Sequence, residues 1–254
     1  VITLIHDLGS FRRKRLTVLQ EIDRLQNSDY LITLNDSMSA WLQTKGCEVP
    51  KGELKIWDYL SPAIVLNKIE PATDYTVVYA GALGYNKNRF LYELDRLPRQ
   101  WHLSVYGKGL EADKILNKEY FSYNGFLISS VQGDFGLVWD GDSYEACTGN
   151  YGEYLRYNNP HKVSLYVRCH LPLIIWEKAA LAPFIKEKEI GICINSLEEL
   201  DGKLEKLTVD DYFKMKSRVI EISNLLSVGY FFTKALDEAV KFLTKSDVAD
   251  EGRN

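Results

Sequence analysis

From Val1 onward, short apolar, β-branched runs alternate with stretches whose apolar residues recur every three or four positions. This alternation is that of parallel strands joined by crossover helices, since each strand–helix–strand unit lays its helix across a face of the sheet. The runs predict strands over residues 1–6, 29–34, 54–57, 75–80, 102–106, 134–139, 173–176 and 190–194. Helices are predicted between them. The first spans 14–26, where Leu16, Leu19, Ile22 and Leu25 share a face. The second spans 35–45, with Asn35 or Asp36 as its cap and Gly46 as its stop. Others fall over 88–97, 162–168, 179–186 and 197–207, and long helices over 210–226 and 230–243 close the chain. Residues 245–254 are polar and expected to fray.

A stretch over 61–74 carrying Pro62 and Pro71 reads as a linker between two α/β halves. The domains expected are 1–70, to which a helix over 228–244 returns, and 71–227. With 254 residues, both can bury a core. A strand that begins at the first residue implies that sequence precedes it, so the first domain is expected to be truncated at its N-terminus.

Composition narrows the function. Apolar residues at 46% and charged residues at 26% exclude a disordered chain. A net charge of −4 offers no basic excess for a nucleic acid partner. Cys47, Cys147, Cys169 and Cys193 have no metal-knuckle spacing and read as thiols of a cytoplasmic protein. No apolar run is long enough to span a bilayer.

Doubly wound sheets bind ligands beyond the carboxyl ends of their strands. His6 and Asp7 end the first strand and are candidates for general-base work; the competing reading has Asp7 capping a helix and His6 packing. The turn from Gly81 to Lys87 presents backbone N–H groups and a cation to an anion such as a diphosphate, or is an ordinary strand-to-helix turn. A second glycine turn, Gly107-Lys108-Gly109, and the stretch Tyr123 to Phe126 offer room for a base ring or for core packing. Asp140 and Asp142 look like a DxD metal site at first sight; a polar loop is the favoured reading, and no metal site is assigned.

The most specific stretch is Tyr157-Asn158-Asn159-Pro160-His161-Lys162. Pro160 suits a first helical turn and Asn159 an N-cap, which leaves Lys162 in a first turn where acids are usual. Lys162 is expected to be exposed, so that its loss weakens anion binding and spares the fold.

The ordered set H-D-L-x-S-x-R, D-Y-L-I-x-x-N, A-G-x-L-x-x-N-K, Y-G-x-G, G-L-V-W-D, Y-x-x-N-x-P-H-K-x-x-L-Y, L-P-L-I and A-P-F-I resembles one group of bacterial glycosyltransferases. The group includes the galactofuranosyltransferases of polysaccharide synthesis and the third glucosyltransferase of serine-rich-repeat adhesin glycosylation. The resemblance runs from Ile2 to about Leu243. It implies the GT-B fold, two Rossmann-like domains facing across a cleft. It also implies a UDP-sugar donor, a saccharide or glycopeptide acceptor, no cofactor and no metal. The donor residues implied are Gly81, Lys87, Tyr123, Tyr157, Asn159, His161 and Lys162, with His6 or Asp7 as the acceptor's base. A cytoplasmic location, at the inner membrane face or in a homo-oligomer, goes with it.

Two departures qualify the resemblance. Members carry roughly 70–80 further residues before the H-D strand, about half a Rossmann unit. The glutamate common in retaining GT-B enzymes, seven residues before the L-P proline, is replaced by Leu165, and His170 stands where glycine is common. The alternatives are a non-catalytic nucleotide-sugar-binding relative or inactive fragment, and a nucleotide-sugar epimerase using Asp140 with Asp7.

Overall fold

The computed structural model describes residues 1–12, 14–61, 74–119, 121–125 and 130–251. The linker expected over 61–74 and the domain boundary after residue 70 fall on residues 62–73, outside the described residues, as do Arg13 and Phe126.

Two parallel sheets carry the chain. In the first, β1 (Ile2–Leu4) pairs with β2 (Tyr30–Thr33), and β2 with β3 (Lys51–Glu53). Helices α1 (Gly9–Arg12) and α2 (Val18–Leu25) connect β1 to β2. The helix expected from residue 14 begins only at Val18, because Lys14 takes a left-handed φ of 49° and Thr17 forms a capping box with Gln20. Helix α3 (Asp36–Thr44) starts under the expected Asn35 cap, whose Oδ1 accepts from the Met38 N–H at 2.8 Å. The strand expected over 54–57 lies three residues earlier, at β3. Leu54, Ile56 and Trp57 are buried, yet Lys55 between them has a φ of 72°, which ends the ladder.

The second sheet is ordered β6 (Phe121–Tyr123), β5 (His102–Lys108), β4 (Thr76–Ala82), β7 (Phe135–Val138), β8 (Leu173–Trp176), β9 (Gly191–Ile194), with every pair parallel. This is the doubly wound order, and its direction of travel reverses between β4 and β7. Strands covered on both faces read as continuous apolar runs, and β7 and β8 are buried throughout. The helix expected over 88–97 is short: α4 (Phe90–Glu93) runs into a 3₁₀ turn at Leu94–Arg96. Helices α5 (Gly149–Tyr154) and α6 (Lys162–Arg168) join β7 to β8, and α7 (Ala182–Lys188) joins β8 to β9.

The region expected as one helix over 197–207 is a 3₁₀ turn followed by α8 (Leu200–Glu205). Then come α9 (Val209–Ser227) and α10 (Tyr230–Glu251). Helix α10 crosses back to the first sheet and packs against β2 and β3. The Asp58 carboxylate accepts from the N–H groups of Phe231 and Phe232 at 3.2 and 2.7 Å, anchoring the first turn of α10. Farther along, Phe242 meets Tyr30 with ring centroids 5.4 Å apart. Among the described residues, no helix is long and apolar enough to cross a membrane.

Candidate functional site

The reversal of strand order opens the sheet. Strands β4 and β7 pair only through Val77 with Phe135 and Val78 with Gly136, and then part. Tyr166 of α6 bridges the split: its hydroxyl accepts from the Ala80 N–H at 2.6 Å and donates to the Leu137 carbonyl at 3.3 Å. Gly136 makes room for it, since a Cβ there would fall 2.3 Å from Tyr166 Cγ.

A cavity of about 410 Å³ lies beyond this split, between the two sheets. Loop 81–88 forms one wall. Buried Asn88 holds that loop: its Nδ2 donates to the Ala82 carbonyl at 2.7 Å and its Oδ1 accepts from the Gly141 N–H at 3.2 Å. Gly81 and Lys87 line the cavity, and Lys87 Nζ sits 5.3 Å from the ring of Tyr151.

Lys162 also lines the cavity, but not as an exposed cation. Its side chain is 10% exposed and pairs with Asp140, itself 13% exposed, at 2.8 Å. Nζ also donates to the Trp139 carbonyl at 3.2 Å and lies 4.1 Å from the ring centroid of Tyr79. Asp140 Oδ1 accepts in addition from the Tyr79 hydroxyl at 2.8 Å. Burial lowers the Lys162 pKa, and Asp140 opposes that shift. The expectation of an exposed lysine is therefore corrected, because the acid it pairs with sits at the end of β7. That pairing also supports a polar-loop role for Asp140.

The N-P-H-K stretch is built differently from its sequence reading. Helix α6 begins at Lys162 with no side-chain cap, and Asn159 does not cap it. Asn159 is 3% exposed, and its Nδ2 donates to the carbonyls of Leu34 and Lys55 at 2.8 and 2.9 Å. Its amide thus joins the two halves and is not available to a phosphate, although the residue borders the cavity.

On the facing wall, the rings of His6, Trp57 and His161 form one stack, with successive centroids 4.7 and 4.7 Å apart. The indole N–H of Trp57 donates to the Asn159 carbonyl at 2.8 Å, and Ser164 Oγ donates to the Trp57 carbonyl at 2.6 Å. Burial and then the neighbouring His6 lower the His161 pKa; Asp7 opposes and Arg12 reinforces that shift. Asp7 pairs with Arg12 through Oδ2 and accepts from the Tyr154 hydroxyl on Oδ1 at 3.2 Å. The same Tyr154 oxygen accepts from the Leu8 N–H at 2.7 Å, and burial raises its pKa far above the ordinary phenol range.

Of the nine residues expected at the site, the structure brings His6, Asp7, Gly81, Lys87, Asn159, His161 and Lys162 to this cavity. Two lie elsewhere. Tyr157 packs its ring against Phe11 and Trp41, at 5.1 and 6.4 Å, filling the junction instead of facing the cavity. Tyr123 is 48% exposed on β6, and its hydroxyl donates to the Gly107 carbonyl at 3.1 Å. The residue-by-residue reading assigned no role to Arg12, Trp57, Tyr79 or Tyr154. Arg12 closes the H-D-L-x-S-x-R motif and Trp57 ends a strand-like run, and these are the signals that could have marked them. Among the described residues no group of three or more His, Cys, Asp or Glu side chains is placed to hold a metal ion.

With this geometry in view, comparison with known proteins gives a consistent result. Residues 77–239 match the family model "Glucosyltransferase 3-like, C-terminal domain", and residues 1–56 match its N-terminal counterpart. The chain is similar to the beta-1,6-galactofuranosyltransferase WbbI of Escherichia coli K12, 32% identical over 247 residues, covering 94% of this chain and 71% of WbbI. It is also similar to Glucosyltransferase 3 of Streptococcus gordonii, 28% identical over 250 residues, covering 94% of this chain and 70% of that protein. Among solved structures, Anabaena HepE in complex with UDP superposes with a TM-score of 0.62 at 10% identity, covering 96% of this chain and 72% of HepE.

Proposed function

Because the chain belongs to the glucosyltransferase 3-like family, we propose that it moves a hexose, galactofuranose or glucose, from a UDP-sugar to a saccharide or glycopeptide acceptor in polysaccharide or glycoprotein synthesis. It is a glycosyltransferase of the GT-B fold. The observation that carries the site reading is the cavity at the parting of β4 and β7, with Lys87 and Lys162 on one side and His6, Asp7 and the stacked His161 on the other.

The donor diphosphate rests against the turn from Gly81 to Lys87, with His161 and Lys162 beside it. The cation and N–H donors there offset the negative charge that grows on UDP as it leaves. His161, with its lowered pKa, serves as a neutral N–H donor near neutral pH. The acceptor hydroxyl approaches from the first sheet, where His6 or Asp7 takes its proton. The reaction needs no metal in this reading, since Asp140 is occupied by Lys162 and Tyr79 and Asp142 lies 3.9 Å from Arg89. The same occupation argues against an epimerase that would use Asp140 as its acid or base. The cysteines among the described residues are unpaired and three are buried, which supports work in the reducing cytoplasm.

UDP without added magnesium should raise the melting temperature, by the equivalent of about 2.7 kcal/mol at one hundred times its dissociation constant. UDP-galactofuranose or UDP-glucose should be consumed in the presence of a saccharide acceptor. Stabilisation by UDP without any sugar transfer would favour a non-catalytic binding protein, and no stabilisation by UDP would overturn the site.

A further inference from the structure

We propose that Arg12 is a ligand of the donor diphosphate, contributed by the acceptor-side half of the molecule, and that it reaches the phosphates by letting go of Asp7. This rests on reading the cavity as a UDP-sugar site.

Two ion pairs face the cavity, one from each side, and they differ in kind. Lys162 and Asp140 are 10% and 13% exposed, and each has a second fixed partner, the Trp139 carbonyl and the Tyr79 hydroxyl. Separating that pair leaves buried charge and broken hydrogen bonds. Arg12 and Asp7 are 32% and 33% exposed. A guanidinium carries several N–H donors in a planar fork, and among the described residues its side chain bonds Asp7 alone. An exposed pair of this sort costs little to open, and a diphosphate is a stronger partner for the fork than one carboxylate.

The surroundings are built for such an exchange. The Arg12 carbonyl accepts from Asn150 Nδ2 at 3.2 Å, and the neighbouring Phe11 stacks on Tyr154 with centroids 5.4 Å apart. The backbone of α1 is therefore held while the long side chain swings. Asp7 is held as well: Arg12 bonds its Oδ2, whereas the Tyr154 hydroxyl bonds its Oδ1 at 3.2 Å. When the guanidinium moves to phosphate, Oδ2 is uncovered toward the cavity and Oδ1 stays fixed.

The exchange orders the reaction, donor first. The acceptor hydroxyl then gives its proton to Asp7 Oδ2, and its oxygen forms the bond to the anomeric carbon. The bond from that carbon to the phosphate oxygen breaks, and its electron pair leaves with UDP, whose charge Arg12 shares with Lys87.

Calorimetry with UDP and with uridine on the parent, Asp7→Asn, and Asp7→Asn combined with Arg12→Ala tests this. Asp7→Asn should bind UDP about two- to fivefold more tightly than the parent, because the competing carboxylate of an exposed pair is gone. Adding Arg12→Ala should weaken UDP by about tenfold relative to Asp7→Asn alone, the loss of one charge-assisted contact. Arg12→Lys in the same background should lose only part of this, and uridine affinity should be equal throughout. If Asp7→Asn binds UDP no more tightly than the parent, or if Arg12→Ala leaves UDP affinity unchanged, the exchange is wrong while the cavity reading stands. If the parent binds no UDP, the cavity reading falls and the exchange with it.

Discussion

Asn35 and Asn159 meet amide to amide where the two halves join: Asn35 Nδ2 donates to Asn159 Oδ1 at 2.7 Å, both residues being 6% exposed or less. The remaining groups of both amides are used. Asn35 Oδ1 accepts from Met38, its Nδ2 also donates to the Tyr157 carbonyl, and Asn159 Nδ2 donates to Leu34 and Lys55. A buried polar network of this sort fixes geometry when every member is satisfied, and is costly when one is not. It holds the N-P-H-K stretch to the end of β2, so that His161 and Lys162 face the cavity from a set position.

Asn159→Asp should test whether Asn159 holds the junction of the two halves or a phosphate. The substitution removes both N–H donors, orphans the Lys55 carbonyl, leaves the Leu34 carbonyl with the Lys55 N–H alone, and places a carboxylate beside them. Each orphaned buried group costs about 1–3 kcal/mol. A large fall in melting temperature is expected, with a UDP affinity close to that of the parent under conditions where the variant is folded. A stable variant that has lost UDP binding would return Asn159 to the phosphate site.

Lys162→Ala should destabilise the fold as well as weaken the donor, since it strands the Asp140 carboxylate in a nearly dry setting. Breaking one side of a buried pair costs about 3–5 kcal/mol. Asp140→Asn should cost less, because the amide still accepts from Tyr79. The double substitution should be more stable than the sum of the two singles, by a coupling of about 1–3 kcal/mol in urea unfolding. Additive losses would show that the pair is not coupled.

Much of the second sheet was legible because strands buried on both faces have nothing but apolar residues to show; β7 and β8 are examples. Strand β6 is half-exposed and three residues long, and carries no such signal. Strand β3, Lys51–Glu53, is likewise half-buried and polar at both ends, so the buried run just after it attracted the assignment. What stopped that run from being a strand is the left-handed φ of Lys55, a residue type that does not advertise it.

The site was legible as a set of positions and not as a set of roles. The residues at strand ends could be named because a doubly wound sheet gathers them on one edge. Their partners are set by tertiary structure: Asn159 meets Asn35 across 124 positions, and Lys162 meets Asp140 across 22. Nothing local to an asparagine before a proline separates an N-cap from a bridge between two halves. Trp57 shows the same limit, since its faces are covered by imidazoles from distant parts of the sequence, His6 and His161.

Stability should vary with pH through Glu53. Burial first, and then Asp36, raise its pKa to about 7, with Glu238 adding to the shift and Lys55 opposing it. A carboxyl whose folded pKa lies above its unfolded one is stabilised in the protonated form. Its contribution is complete below the ordinary carboxylate range and is lost as pH rises through about 7. His161, shifted down, works the other way: its contribution is present above the usual imidazole pKa and fades as pH falls. Comparing Glu53→Gln with the parent at each pH removes the His161 part. The melting temperatures should agree near pH 5, and the variant should melt higher at pH 8. A difference that does not change with pH would dismiss Glu53 as a titrating group.

Tyr154→Phe should separate positioning from binding. The hydroxyl lies outside the diphosphate's wall; it accepts from the Leu8 N–H at 2.7 Å and reaches Asp7 Oδ1 at 3.2 Å. Its loss leaves Asp7 tethered by Arg12 alone, and by nothing once Arg12 turns to the donor. A base that is not held toward the acceptor loses much of the advantage of proximity, and a misplacement of about 1 Å can cost about a hundredfold in rate. The expected result is a kcat reduced about tenfold or more, with UDP affinity and the KM for the UDP-sugar little changed. The orphaned Leu8 N–H should also lower stability by about 1–3 kcal/mol, so the rates are read well below the melting temperature. If kcat is unaffected there, Asp7 does not depend on Tyr154, and His6, stacked on Trp57 at the end of the same strand, becomes the better candidate for the base.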